Sequence, residues 1–414
     1  MISAVLYLRL CLCMLILLMV LPAGYASGYQ LMQSENDKLN LEDTGIEIEN
    51  YISLHISESD YYNMRATSGQ KIMVDAELLI INGDTLKPEI IETRGQTTLN
   101  FIRKSLSVKL ESKASFKHGE RSEKLKRFFL LSLSMDRYYT HNRLAFGMME
   151  ECRLFGLFYS FCELKINRKS EGIYMVVERP DDWALGKMNS PLVIRRGYNN
   201  RMEKIIAGKE TDRTGIKKYS EYYKQIYNCL NKQRGEELYK NLSGLLDVNL
   251  YMKWMAFNFI IRNGDYTDEV YFYVDPVVNK FRIIPWDYDD LFAVTPHEGA
   301  GRSGKPDSYS LIFSTEDLLD KKIASDKYLY QVYLGELRTL LKELSTDVLK
   351  RVFQSTYSEL CPFYSRSEII GNTKSDLYKD ANREKLKEDL SRMYEQLIIS
   401  RDLYLNYLKA KTED

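Results

Sequence analysis

The chain has 414 residues, with 58 Lys+Arg against 58 Asp+Glu, and therefore no formal net charge near neutrality. Hydrophobic residues at 44% and charged residues at 28% fit a globular protein of two or three domains, and exclude a disordered, collagenous or coiled-coil chain. Zero net charge without a long basic block excludes nucleic acid as the main partner. Four histidines with no H-E-x-x-H, and no G-x-S-x-G, exclude zinc peptidases and α/β-hydrolases, so any metal chemistry must come from carboxylates.

The chain begins with what reads as an address. Residues 1–26 hold a single charge, Arg9, ahead of an apolar run over 10–21, with Pro22 and then small residues before a cut after Ala26. Such a run is short for a bilayer span but fits the core of a signal peptide. An exported protein is expected, at the periplasm, cell surface or outside the cell, touching a membrane only if that segment stays uncleaved. Residues 27–45 are polar and read as a linker. Export permits disulfides, yet Cys152, Cys162, Cys229 and Cys361 are scattered; free core thiols are expected, with Cys152–Cys162 the one pairing considered.

Strands come next. Residues 72–81 form an apolar strand ending in Asn82-Gly83, a tight-turn dipeptide, and 88–93 a second that leads into Arg94-Gly95-Gln96-Thr97-Thr98. Alternation is clear over 103–110; 128–133 and 162–166 read as strands around a helix near 142–155, and 173–178 follows a Glu171-Gly172 turn. After residue 210 the pattern turns helical. Asp247 caps an apolar helix over 248–261, a short β-hairpin follows, and further helices cover 325–343 and 376–408. The expectation is an α+β architecture with a β-rich N-lobe (46–210), a helical C-lobe (211–414) carrying a hairpin (265–290), and a cleft between them.

The hairpin carries the chemistry. Asp265 and Glu269 precede its first strand, and Pro285-Trp286-Asp287-Tyr288-Asp289-Asp290 closes its second. In a hairpin the start of one strand and the end of the other lie about 5 Å apart. Asp265, Asp287 and Asp289 are thus neighbours in space, and gathered carboxylates repel one another unless a cation or proton compensates. Hard oxygen donors suit Mg²⁺ or Mn²⁺; a solvated acidic turn without a ligand stays open. Lys104 shares strand parity with Leu106, Val108 and Leu110, so it projects from an apolar face and needs an anionic partner or a route to water. A strand lysine with acids before and after a hairpin matches the parts of protein-kinase phosphoryl transfer.

Six blocks in order resemble the CotH kinase family, the spore-coat-protein-H-type atypical kinases: R-G-Q-T-T at 94–98 with R-K-S at 103–105, F-F-L-L-S-L-S-M-D at 128–136 with N-R-L-A at 142–145, E-L-K-I-N at 163–167, E-G-I-Y-M-V-V-E at 171–178, N-G-D at 263–265, and P-W-D-Y-D at 285–289. The resemblance implies a reduced, two-lobed kinase-like fold and ATP-dependent phosphorylation of Ser/Thr hydroxyls on an envelope or coat protein. By position it makes Asp265 the catalytic acid, Asp287, Asp289 and Glu269 the metal ligands, Lys104 and Arg94 contacts to ATP, and Glu178 a neighbour of the adenine-binding hinge. Glu269 departs from the family's usual Asn and adds negative charge beside ATP. A catalytically inactive envelope scaffold, or a glycan-binding module using some of the 31 tyrosines, remains the alternative. Gly299-Ala-Gly301-Arg-Ser-Gly304-Lys305 imitates a phosphate loop, but Pro306 stands where Ser/Thr would be required, and a mobile loop is the expectation there.

Overall fold

The computed structural model describes residues 39–43, 45–197, 200–267, 269–296, 311–372, 376 and 379–413. The expected signal segment, most of the linker and the Gly-rich stretch at 299–305 lie outside the described residues.

The first half builds β1 (Tyr51–Ile56), α1 (Glu58–Ala66), β2 (Ala76–Ile81), β3 (Asp84–Leu86), β4 (Pro88–Arg94), β5 (Ser105–His118), β6 (Arg121–Leu131), α2 (His141–Glu151), β7 (Tyr159–Ile166) and β8 (Lys169–Glu178). Its strands form one eight-stranded sheet in the order β3-β2-β1-β7-β8-β6-β5-β4, antiparallel except for β1 beside β7. The turn between β2 and β3 uses Asn82 and Gly83, both at positive φ (52° and 93°), as a two-residue hairpin with right-handed twist demands.

The sheet curls until its ends meet. Just ahead of β2, the Val74 amide donates to Ile91 O (2.8 Å) and Met73 bridges Glu92 on β4. Alternate residues therefore divide between two cores. Phe128, Leu106, Val108 and Val176 fill the inside of the curl, while Phe129 and Val177 point outward into the larger core shared with the helices. Full burial of each such side chain contributes roughly 1.5–3 kcal/mol.

Beyond β8 the chain crosses to a four-stranded antiparallel sheet, order β10-β9-β11-β12, made of β9 (Leu192–Gly197), β10 (Arg201–Ala207), β11 (Val270–Asp275) and β12 (Lys280–Pro285). The change of sheet thus falls before residue 192, ahead of the boundary expected at 210. Between β10 and β11 lie α3 (Arg213–Lys232), α4 (Gly235–Leu245) and α5 (Val248–Ile261); α6 (Leu318–Ser325), α7 (Lys327–Glu343), α8 (Thr346–Tyr364) and α9 (Arg383–Glu413) complete a mixed α+β fold. In α5 the Asp247 carboxylate accepts from the Leu250 amide (3.2 Å), and Arg262 in left-handed conformation (φ 50°) ends the helix. Among the described residues no helix is long and apolar enough to cross a membrane.

Cys152 and Cys162 are both free and buried, which corrects the one disulfide considered. Cys162 lies inside the curl and Cys152 in the outer core, on opposite faces of the sheet. Burial pushes the Cys152 thiol up to about 12, and the Cys162 thiol is raised by the same cause.

Candidate active site

Strand pairing from Val270↔Pro285 to Asp275↔Lys280 closes the hairpin as its sequence requires. The flanking loops are stitched together as well. The Trp286 amide donates to Glu269 O (3.0 Å), and the Gly264 amide to Asp290 O (2.9 Å). Asp265, Glu269, Asp287 and Asp289 line a single cavity of about 650 Å³, a volume typical of small-molecule sites.

The start of α2 holds the acidic loop in place. Asp136 Oδ1 accepts from the His141 amide (2.8 Å), and its Oδ2 from the Asn142 amide and side chain (2.9 and 3.0 Å). Asn142 Oδ1 then accepts from the Tyr288 amide (3.1 Å), and His141 Nδ1 lies within hydrogen-bond distance of both Asp289 O (3.0 Å) and the Leu291 amide (3.2 Å). Burial lowers the His141 pKa to about 4, against the opposing effect of the Asp289 carbonyl. Between these anchors Asp287 takes left-handed backbone (φ 57°), a conformation uncommon for a residue with a side chain though easier for Asp than for most.

The acids repel one another. Asp136 is raised to about 7, chiefly by burial; hydrogen bonds from Asn142 and His141 oppose this and the nearby Asp287 adds to it. Asp289 is raised well above the ordinary carboxylate range, first by burial and then by Asp287, Asp136, Asp265 and Asp290. This all-carboxylate donor set fits a hard divalent cation. Among the described residues, however, no three His, Cys, Asp or Glu side chains form a ready cage for one.

Across the cavity stands Arg94, 4.0 Å over the Phe129 ring and 5.8 Å from the Trp286 ring centroid. Burial lowers its pKa, while Tyr271, Asp287 and Glu269 act to raise it. The following turn, residues 95–98, also lines the cavity. Gly95 is obligatory there: its φ is 103°, and a Cβ would sit 1.8 Å from Thr98 Oγ1. Lys71, Arg179, Arg195 and Lys204 add further positive charge around the cavity.

The CotH kinase protein family matches residues 91–398, from β4 into α9, across every residue of this cavity numbered above 90. The chain belongs to the CotH kinase family. Membership carries a kinase-like function and, in general terms, ATP with a divalent metal. Among solved structures, the Shewanella oneidensis MR-1 toxin–antitoxin complex of HipA, HipB and operator DNA aligns at 13% identity with a TM-score of 0.27. That alignment covers 72% of this chain and 64% of the other. No curated protein matches.

Three residues given roles from the CotH resemblance have protein partners of their own. Lys104 does not line the cavity: it is 3% exposed, and its Nζ donates to Leu99 O (2.7 Å). Burial, then Arg65, lowers its pKa. Its parity with Leu106 and Val108 is as read, but that face turns into the curl of the sheet, whereas Ser105 and Ser107 on the alternate face reach the cavity. Glu178 ends β8 at the crossing between sheets, yet its carboxylate accepts from the Phe158 amide (3.0 Å) and pairs with Lys187 (2.8 Å) beside a second cavity. Glu269 lines the CotH cavity but is engaged by Arg195 from neighbouring β9, at 3.0–3.1 Å. Asp136 and Asn142 fall in the CotH blocks but were given no role from the sequence, and His141 and Arg195 were not singled out. The block that ends in Asp136 and resumes at Asn142 was the available signal for the first two, since a carboxylate shortly before a helix start can take that helix's free amides.

Proposed function

We propose that this cavity carries out metal-dependent transfer of the ATP γ-phosphoryl group to Ser/Thr hydroxyls of an exported acceptor protein. The observation that supports it is the convergence, in one 650 Å³ cavity, of acids from both ends of the hairpin with Arg94 and the Gly95 turn opposite them. Asp265, at the entry to the hairpin, is an exposed carboxylate of the cavity, suited to orient an incoming hydroxyl and take its proton. Asp287 and Asp289 would hold a divalent cation, whose charge offsets that of the phosphates. Arg94, with the backbone of residues 95–98, replaces Lys104 as the phosphate contact. Arg179, 5.1 Å over Phe129 where β8 leaves its sheet, marks the end of the cavity for the nucleoside. In this reading the eight-stranded sheet is the N-lobe, and the smaller sheet with its helices is the C-lobe.

Radiolabelled transfer to a general acceptor and to the chain itself, with Mg²⁺ or Mn²⁺, tests the proposal. Asp265→Ala should lose transfer by at least about 100-fold while keeping metal-dependent nucleotide stabilisation; Asp287→Ala should lose both. No transfer and no metal-dependent nucleotide stabilisation in the wild type would overturn it. The alternative, a catalytically silent envelope scaffold, is favoured by one observation: Glu269, on the expected metal side, is bound by Arg195 instead. Glu269→Asn discriminates, since a gain in transfer supports the enzyme and continued silence supports the scaffold.

A further inference from the structure

A second cavity, of about 690 Å³, opens where the cleft face of β5 and β6 continues outward. Ser107 and Phe129 line the first cavity; Lys109 and Arg127, the next outward-facing pair and direct partners across the ladder, line the second. Two residues along a strand span about 7 Å, so the two cavities adjoin. Their charge differs. Around the second stand, among the described residues, seven cationic side chains and three carboxylates.

All three carboxylates are already matched. Arg127 binds Asp182 (2.8 Å), and Lys187 binds both Glu123 (2.8 Å) and Glu178 (2.8 Å). Glu89, outside the cavity, takes Lys109 and Lys126. That leaves Lys113, Lys124 and Lys209, all exposed, without an ion pair among the described residues. A bulge presents the first of them. Between matched pairs, β5 takes five steps from Lys109 to Ala114 while β6 takes two from Arg127 to Leu125, which lifts Lys113 out of the ladder.

We propose that this basic cavity docks an acidic peptide segment of a protein partner. Three unmatched ammonium groups around a concave floor can each take a carboxylate and still keep water on their outer side, the arrangement that steers association. Nucleic acid fits poorly, because among the described residues no aromatic side chain lines the cavity to stack a base. A flat membrane surface fits poorly because the lysines surround a hollow.

The inference does not depend on phosphoryl transfer, and its test measures binding alone. Fluorescence anisotropy of a labelled, Glu-rich twelve-residue peptide with the full-length chain should show binding that weakens several-fold from about 50 to about 200 mM NaCl. Lys113→Glu, Lys124→Glu and Lys209→Glu together should weaken it at least about tenfold. The milder triple change to Gln should weaken it less, in the same order of variants. A control reversal of equal charge on exposed helix positions, Lys217→Glu, Lys321→Glu and Lys342→Glu, should have little effect. Equal loss in the control, tighter binding of a single-stranded oligonucleotide of matched charge, or no peptide binding by the wild type would each overturn the proposal.

Discussion

Two groups of acids lie on either side of the β11–β12 hairpin, and the fold neutralises them differently. Asp317 and Asp320, at the start of α6, face the fully buried Arg196: its guanidinium lies 3.5 Å from Asp317, and Tyr251, bonded to Arg196 at 2.6 Å, donates to Asp320 at 2.6 Å. Arg196 Nε also donates to Thr267 O (2.7 Å), which holds the loop that carries Asp265. In the cavity, by contrast, the strongest influences on Asp289 after burial are four other carboxylates. A cluster balanced by an internal arginine belongs to the scaffold, while one dominated by mutual repulsion is built to receive a cation from outside.

The largest expected effect tests the scaffold half of this contrast. Arg196→Met strands two buried acids and should cost about 3–5 kcal/mol in urea unfolding; a cost under about 1 kcal/mol would erase the distinction. Next comes pH. Asp320 is raised to about 7 by burial and Asp317, against Arg196, from an ordinary 3.8. The folded chain therefore binds a proton that the unfolded chain releases. Its contribution is complete below about pH 4 and disappears as pH rises through about 7, a change of up to roughly 4 kcal/mol that Asp320→Asn should flatten. Asp136, raised to about 7, acts in the same direction, but added Mg²⁺ should restore part of its share and none of that of Asp320.

Smaller effects sharpen the cavity half. Asp289→Asn removes a repelled charge, so stability in chelator should hold or rise by about 1 kcal/mol while Mg²⁺ stabilisation disappears in thermal melts. Destabilisation on the scale of Arg196→Met would instead make both clusters structural. Smallest of all should be Lys104→Met, under about 1 kcal/mol with the nucleotide response intact, whereas Arg94→Ala should lose that response.

Helix α5 shows how far the sequence was readable: an Asp cap, a mostly apolar run and a closing Asn-Gly specify 248–261, and that helix forms with those bounds. The hairpin was equally legible, because strand pairing is local and follows from its own length and turn. Strand β1 and the β9–β10 pair were not read as elements. β10 is an edge strand, and β1 has its partners far along the chain, in β2 and β7. Arg195 escaped notice for a similar reason: on β9, it lies opposite Tyr271 of β11, across about 75 residues of sequence.

By itself, the sequence determined that Asp265 and the Asp287–Asp289 pair would share one side of a hairpin, and that the chain carries the blocks of the CotH kinases. Only the tertiary structure decided which face of β5 opens onto those acids. A period of two separates the faces of a strand, but it cannot tell an apolar face turned into a curled sheet from one turned toward a cleft. The curl sends Lys104 inward and leaves Ser105, Ser107 and Arg94 facing the acids. It also decided that Asp136 and Asn142 would brace the Asp287 loop, since these partners lie about 150 residues apart and no local pattern joins them.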